Sequence, residues 1–74
     1  MIELPGLRRR RLLAALTQAQ LAERAGVERL TITRIESGGK ARAPTLRKLS
    51  DALGCLPAEL LDYETSLETL LTSK

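Results

Sequence analysis

Residues 17–36 read as two short helices separated by a glycine, and this pattern constrains the fold more than any other part of the 74-residue chain. Thr17 is followed three residues later by Gln20, a spacing typical of a capping box that starts a helix. Gly26 can adopt the left-handed backbone that ends a helix. We therefore predict helices over about residues 18–25 and 28–36, joined by a tight corner.

The apolar residues of these two predicted helices are placed so that one helix can pack against the other. Leu21, Ala22 and Ala25 share one face by spacings of three and four, and Ile32 and Ile35 anchor the second helix. In a helix-turn-helix the first helix lies across the DNA backbone and the second enters the major groove, which requires a tight corner. The spacing thus indicates a DNA-binding helix-turn-helix, although such a glycine corner can also be purely structural.

Charge is distributed unevenly along the chain. Residues 1–44 hold eight Arg and one Lys against four Glu, a net charge of +5, whereas residues 45–74 carry −2. A basic half that contains the predicted helix pair suits a polyanion such as DNA. The four arginines at positions 8–11 cover more than one helical turn, so they cannot share one face. Two interpretations stay open for these arginines. They can form a solvated basic face in which the aliphatic part of one side chain packs inward, or one or more of them can contact phosphate directly.

The rest of the chain predicts three more helices, which makes the fold all-α. A hydrophobic content of 43% with a single aromatic residue, Tyr63, requires an aliphatic core and favours helices over sheets. Helix 1 is predicted over about residues 7–15, helix 4 over 46–53 with Thr45 as its cap, and helix 5 from Pro57. We expect Leu60 and Leu61 to face inward, and the other apolar candidates for the core are Leu7, Leu12, Leu13, Leu16, Leu46, Leu49, Ala52 and Leu53.

Several function classes lack the residues they need. The chain has no His and one Cys, Cys55, which excludes a common zinc site, a His-based catalytic triad and an internal disulfide. We expect Cys55 to be a small buried apolar residue. Since no acid, base, nucleophile or metal cluster can be assembled, we predict a protein that is not an enzyme and needs no cofactor or metal. No apolar run could span a membrane and the start does not resemble a signal peptide, so we expect a cytoplasmic protein.

Three strings of the chain resemble the phage lambda repressor and Cro-like family, also called the XRE family. They are LTQAQLAERAGV at residues 16–27, TITRIE at 31–36 and LSDALG at 49–54, within a resemblance that covers about residues 7–61. The resemblance implies a compact five-helix domain that binds double-stranded DNA. Members usually bind pseudo-palindromic operators as homodimers and repress, or less often activate, transcription.

The resemblance also assigns roles to single residues. The positions from which the family reads base edges are Arg29, Leu30, Thr33 and Arg34. The positions that contact phosphates are Gln18, Lys40 and Arg42, and a structural ion pair is implied between Arg11 and Glu36. Arginine can pair with guanine, and a leucine side chain or a threonine methyl can pack on a thymine methyl. Phosphate contact or plain exposure is the alternative for the base-reading positions, and a solvated residue at the start of helix 2 is the alternative for Gln18.

Three positions depart from the family pattern. Glu28 replaces the Ser or Thr that usually starts the second helix of the pair, so we assign it a structural role at the positive end of that helix. Arg10 falls where many members place an apolar residue. Gly38 and Gly39 form a double glycine that we expect to make the following loop flexible.

The C-terminal end contains apolar residues that can bind a second copy of the chain or another protein. We divide the chain into a DNA-binding domain over residues 1–62 and a tail over residues 63–74, which can form a short amphipathic helix. The candidate residues for a dimer or partner interface are Leu60, Leu61, Tyr63, Leu67, Leu70 and Leu71. Folding back onto the same subunit is the alternative. A rival function is an antitoxin-type module whose tail binds a protein partner and whose DNA binding only autoregulates its operon.

Overall fold

Five helices and two short strands make up residues 1–61, the part of the chain that the computed structural model describes. In chain order they are β1 (Ile2–Glu3), α1 (Leu7–Leu13), α2 (Gln18–Ala25), α3 (Arg29–Glu36), β2 (Lys40–Ala41), α4 (Ala43–Leu53) and α5 (Pro57–Leu61). The predicted all-α, five-helix domain is confirmed. The two strands were not predicted from the sequence, and the tail lies outside the described residues.

The start and end of α2 follow the local signals in the sequence. Thr17 Oγ1 accepts a hydrogen bond from the amide of Gln20 at 3.0 Å, and Gln20 Oε1 accepts one from the amide of Thr17 at 2.9 Å. The capping box is therefore confirmed. Gly26 has φ 71°, and the amide of Val27 reaches back to the carbonyl of Ala22 at 3.0 Å. This left-handed residue makes the corner between α2 and α3.

Helix α1 ends in the same way but without a glycine. Ala15 has φ 58°, and the amide of Leu16 bonds to the carbonyl of Arg11 at 3.1 Å. The helix stops at Leu13, two residues before the predicted end, because the chain turns left-handed at Ala15.

Helix α4 begins earlier than predicted. Its N-cap is Arg42 and its first residue is Ala43, so Pro44 lies within the first turn. Proline is tolerated there because an amide in the first turn has no acceptor within the helix. Thr45 is therefore inside the helix, and its predicted role as the cap is wrong. Glu28 is the N-cap of α3, which begins at Arg29.

An aliphatic core lies between the helices, as the composition predicts. Its fully buried members include Leu7, Leu21, Ile32, Leu49 and Leu60. Leu60 of α5 thus belongs to the core of its own protomer and cannot serve a dimer or partner interface, which corrects the prediction from the sequence. Leu61 is half-buried against the same core, as is Cys55, whereas Tyr63, Leu67, Leu70 and Leu71 lie outside the described residues.

Only some of the apolar candidates of α1 are buried. Leu12 and Leu13 are 57% and 67% exposed, whereas Arg11 is buried. Leu7 and Arg11, four residues apart, share the buried face of α1, and α1 packs against both α3 and α5. Leu12 and Leu13 project from other sides of the helix, so they remain outside the core.

A two-residue sheet ties the N-terminal segment to the chain after α3. β1 pairs with β2 in antiparallel fashion, with Ile2 opposite Ala41 and Glu3 opposite Lys40. The amide of Gly6 then bonds to the carbonyl of Leu60 at 2.8 Å. The N-terminal segment therefore joins β2 on one side and α5 on the other.

Candidate nucleic-acid interface

Helix α3 has an inner and an outer side. Ile32 and Ile35 are buried in the core, while Arg29 and Arg34 are exposed. Leu30 is 73% exposed, although an apolar side chain gains nothing from contact with water. The residues that the sequence assigns to base readout thus lie on the outer side, with Thr33 half-buried at its edge. This side can enter a groove without disturbing the core.

A buried ion pair fixes the position of α3 relative to α1. Arg11 Nε donates to Glu36 Oε2 at 2.7 Å and Arg11 Nη2 donates to Oε1 at 3.0 Å, so the pair is bidentate. Arg11 Nη1 also donates to the carbonyl of Leu16 at 2.8 Å, just after α1. The structure therefore contains the Arg11–Glu36 pair that the resemblance implies, and it adds a backbone acceptor that the sequence did not indicate.

The ion pair shifts the pKa of both partners. Burial by itself raises the pKa of Glu36, but hydrogen bonds from Arg11 and Gln18 and the positive charges of Arg11 and Arg8 outweigh it, so the net pKa is lowered. The hydrogen bond to Glu36 raises the pKa of Arg11, against the opposing effect of burial. Both groups are therefore charged at neutral pH, as a bidentate pair requires.

Gln18 extends this network to the outer surface. Its Nε2 donates to Glu36 Oε1 at 3.0 Å, and its Oε1 accepts from Thr33 Oγ1 at 2.9 Å. The amide nitrogen has two hydrogens, so one N–H remains available at the start of α2. Thr33 Oγ1 also lies 3.2 Å from the carbonyl of Arg29, and its single hydrogen serves one acceptor at a time. The hydroxyl of Thr33 is thus engaged within the protein.

Two depressions flank the outer side of α3. The first, of about 490 Å³, is lined by Arg11, Thr17, Gln18, Ala19 and Arg29. The second, of about 600 Å³, is lined by Met1, Thr31, Arg34, Lys40, Ala41, Arg42 and Thr45. The structure therefore places Gln18 beside Arg29, and Lys40 and Arg42 beside Arg34. Sequence reasoning missed Thr31, Thr45 and Met1, whose proximity arises from packing between segments distant in sequence.

Lys40 stands on a strand rather than in the loop that the sequence predicts. Its backbone pairs with Glu3, which holds the segment between α3 and α4 against the N-terminal strand. Arg42 follows directly as the N-cap of α4, where the first-turn amides of that helix have no acceptors within it. Two basic side chains and a helix N-terminus thus meet at one edge of the second depression, an arrangement suited to anions.

The double glycine after α3 has a defined geometry. Gly38 has φ 102°, and the amide of Gly39 bonds to the carbonyl of Arg34 at 2.9 Å. A Cβ on Gly39 would lie 2.7 Å from that carbonyl oxygen, closer than real contacts allow. Gly38 and Gly39 form a tight turn in which each glycine meets a separate requirement, and the flexibility of the loop that follows stays a prediction.

The departure at Arg10 also has a structural reason. Arg10 Nη2 lies 2.7 Å from Glu59 Oε1, so an ion pair joins α1 to α5 where other members place an apolar residue. Glu59 Oε2 in turn accepts a hydrogen bond from the amide of Leu56 at 2.7 Å. Because both ion-pairing side chains are about one third exposed, we regard this pair as weaker than the one between Arg11 and Glu36.

Within residues 1–61, no three His, Cys, Asp or Glu side chains come together in a way that could hold a metal ion. The same part of the chain contains no helix long and apolar enough to cross a membrane.

A comparison with protein families agrees with the geometry of this surface. A family model described as helix-turn-helix matches residues 7–60, more than half of the chain. The match begins at the first residue of α1 and ends within α5, so it includes the ion pair, the first depression and the double glycine, while β1 and Met1 of the second depression lie outside it. No match is found among curated proteins or among solved structures.

Proposed function

Because the chain belongs to the lambda repressor-like (XRE) helix-turn-helix family of DNA-binding transcription regulators, we propose that it is a repressor that binds a pseudo-palindromic operator as a homodimer. The observation that carries the proposal is the outer side of α3, where exposed Arg29, Leu30 and Arg34 stand between two depressions lined by basic and polar groups. A helix in the major groove has a phosphate strand on each side, and the presence of a depression on each side of α3 supports contact with both strands.

Four side chains of α3 contact the base edges in this proposal. Arg29 and Arg34 can each form a bidentate pair with guanine, since both guanidinium groups are exposed. Leu30 packs on a thymine methyl, and this contact would remove its side chain, now 73% exposed, from water. Thr33 contributes its methyl, because its hydroxyl is held by Gln18 or by the carbonyl of Arg29.

Phosphate contacts come from both sides of α3. On the first side the remaining N–H of Gln18 donates to a phosphate oxygen while its other groups hold Glu36 and Thr33. On the second side Lys40 and Arg42 contact the opposite strand, next to the N-terminus of α4. These contacts orient the domain on the duplex and carry no sequence information by themselves.

A homodimer is proposed because one half-site offers few base contacts. Two recognition helices about 34 Å apart would read half-sites on one face of the duplex and make each other's binding stronger. The proposed two-fold contact lies around the start of α5, where Leu56 is 69% exposed. Leu60 takes no part in it, because it is buried in the protomer.

Selection of binding sites from random duplex DNA, repeated across a salt series, tests this function. We expect a palindromic consensus and an affinity that falls steeply with salt, because each phosphate contact releases counterions. Loss of binding in Arg34→Ala, with binding retained in Arg47→Ala, would localise the surface, since Arg47 is exposed but lines neither depression. Absent or salt-insensitive binding would overturn the proposal.

A second candidate function keeps the DNA-binding surface and adds a protein partner. The exposed Leu12 and Leu13 favour it, because they form apolar surface on α1 that the proposed base-reading side of α3 does not use. In this case the protein is an antitoxin-type module that autoregulates its own operon. Co-purification of a stoichiometric partner, encoded next to this chain, distinguishes this candidate from a stand-alone repressor.

A further inference from the structure

Helix α1 exposes an apolar strip that neither the core nor the proposed DNA-binding surface uses. Leu12 and Leu13 are 57% and 67% exposed. Together with Pro5, Arg8, Arg9 and Glu36 they line a groove of about 490 Å³. Two adjacent exposed leucines beside two arginines provide both apolar contact and positive charge.

The residues after α5 are acidic and rich in leucine, which complements the basic and apolar lining of this groove. Residues 62–74 carry three acidic residues, Asp62, Glu64 and Glu68, against one basic residue, Lys74. Their leucines follow the spacing of one helix face: Leu67, Leu70 and Leu71. An acidic segment with a leucine face matches a groove that offers leucines next to Arg8 and Arg9.

The described part of the chain ends close to this groove. The carbonyl of Leu60 accepts a hydrogen bond from the amide of Gly6 at 2.8 Å, so the end of α5 adjoins the start of α1. Thirteen residues follow Leu61. They reach about 20 Å as a helix and about 43 Å when extended, whereas the seven-residue α1 is only about 10 Å long, so the segment can span the groove.

We propose that residues 62–74 fold back onto α1 of their own protomer and cover Leu12 and Leu13. A second copy of the chain fits this groove less well, because stable interfaces between proteins bury roughly 800 Å² on each partner and two leucines expose far less. A tethered segment needs no such area, since its effective concentration is already high. The sequence leaves two roles open for the tail, an interface with another chain or folding back onto its own subunit. We propose the second role, in which the tail packs against its own domain.

Methyl NMR on the full chain tests the proposal without DNA, so its outcome does not depend on the proposed function. We expect nuclear Overhauser contacts between the methyl groups of Leu12 or Leu13 and those of Leu67, Leu70 or Leu71. The equally exposed Leu30 serves as the matched control and should show no contact with the tail. A mixture of two differently labelled samples, observed with isotope filtering, separates contacts within one chain from contacts between chains.

Each outcome decides the proposal. Contacts within one chain support it, while contacts only in the filtered mixture would show that a second copy occupies the groove and would overturn it. The absence of any contact from Leu12 and Leu13 to the tail would overturn it as well, and would leave the groove to another protein.

A variant pair tests the cause of docking. Leu13→Glu replaces an exposed apolar contact with a negative charge that repels the acidic tail, so the fold should persist and the contacts between Leu12 and the tail should be lost. Leu30→Glu makes the same change on α3 and should leave those contacts intact. Equal effects from both variants, or none from either, would contradict docking on α1. Far-UV circular dichroism melting of both variants checks that each one folds.

Discussion

Arg11 Nε lies 2.7 Å from Glu36 Oε2, and the two side chains retain only 10% and 6% of their exposure. This pair joins the middle of α1 to the last residue of α3, which are 25 positions apart. Through Gln18 it also reaches Thr33 on the outer edge of α3. The orientation of the proposed recognition helix therefore depends on a charge pair inside the protein.

Removal of one member of this pair should be costly. We expect Arg11→Met to lower the free energy of unfolding by about 3 kcal/mol, because it leaves the buried carboxylate of Glu36 without its main partner. The double variant with Glu36→Leu should lose less than the sum of the two single changes, by about 1–3 kcal/mol. Urea denaturation of the four proteins measures this coupling. Arg24→Met, at an exposed position of α2, is the control and should change stability by less than about 0.5 kcal/mol. Strict additivity would show that the two charges do not interact.

The same pair makes stability depend on pH in the acid range. The folded-state pKa of Glu36 lies below the ordinary value of 4.5 that applies in the unfolded chain. Its contribution is therefore fully present above about pH 5 and is lost as pH falls through the lower, folded-state pKa. We expect the free energy of unfolding to fall more between pH 5 and the acid limit in the native chain than in Glu36→Gln, where this position cannot titrate. Parallel pH profiles for the two proteins would contradict this assignment.

The features that could be predicted from the sequence are those set by neighbouring residues. The capping box at Thr17 and the left-handed corner at Gly26 depend on atoms within a few positions of each other, so their spacing predicts them. The assignment of Arg29 and Arg34 to the outer side of α3 follows from the buried isoleucines in the same way.

The features that residue spacing could not predict depend on distant partners. The burial of Arg11 in place of Leu12 is decided by a carboxylate on another helix, and helical periodicity carries no information about it. β1 and β2 are two residues long, too short to show the alternation that identifies a strand. The need for Gly39 arises from the carbonyl of Arg34, which only the folded turn brings near.

Ala15 offers a simple stabilising substitution. It is the one residue other than glycine with a positive φ among residues 1–61, at 58°, and it occupies the position that glycine holds at the end of α2. The left-handed conformation costs an L-residue roughly 1–2 kcal/mol, partly offset by the greater freedom of glycine in the unfolded chain. Ala15→Gly should therefore raise the free energy of unfolding by about 0.5–1 kcal/mol. Thermal and urea denaturation measure it, with Gly26→Ala as the inverse change, for which we expect a loss of similar size. A destabilised Ala15→Gly would show that the turn after α1 is not strained.

Gly39 should tolerate no side chain. In Gly39→Ala the new Cβ would meet the backbone of Arg34, so either the turn or the end of α3 must move. We expect a loss of stability of about 1–3 kcal/mol, in the range of overpacked sites, together with weaker DNA binding. Denaturation and a binding titration on the same preparation separate the two effects. Ala43→Ser, at an exposed position in the first turn of α4, is the control and should change neither by much. Native stability in Gly39→Ala would contradict the close approach.

Arg34 and Arg42 both line the second depression, but they should differ in how they affect DNA binding. Arg34 projects from the helix proposed to enter the groove, whereas Arg42 precedes α4 at the edge of the same depression. We expect Arg34→Ala to relax the preference at one base position and to cost about 1–3 kcal/mol on the selected site. Arg42→Ala should weaken binding to all sequences alike and lower the slope of log K against log salt by about 1. Binding measured on the selected operator, on single-position variants and on unrelated duplex at several salt concentrations separates the two patterns. If both variants lost affinity uniformly, Arg34 would contact phosphate rather than a base, and readout would rest on Arg29, Leu30 and Thr33 alone.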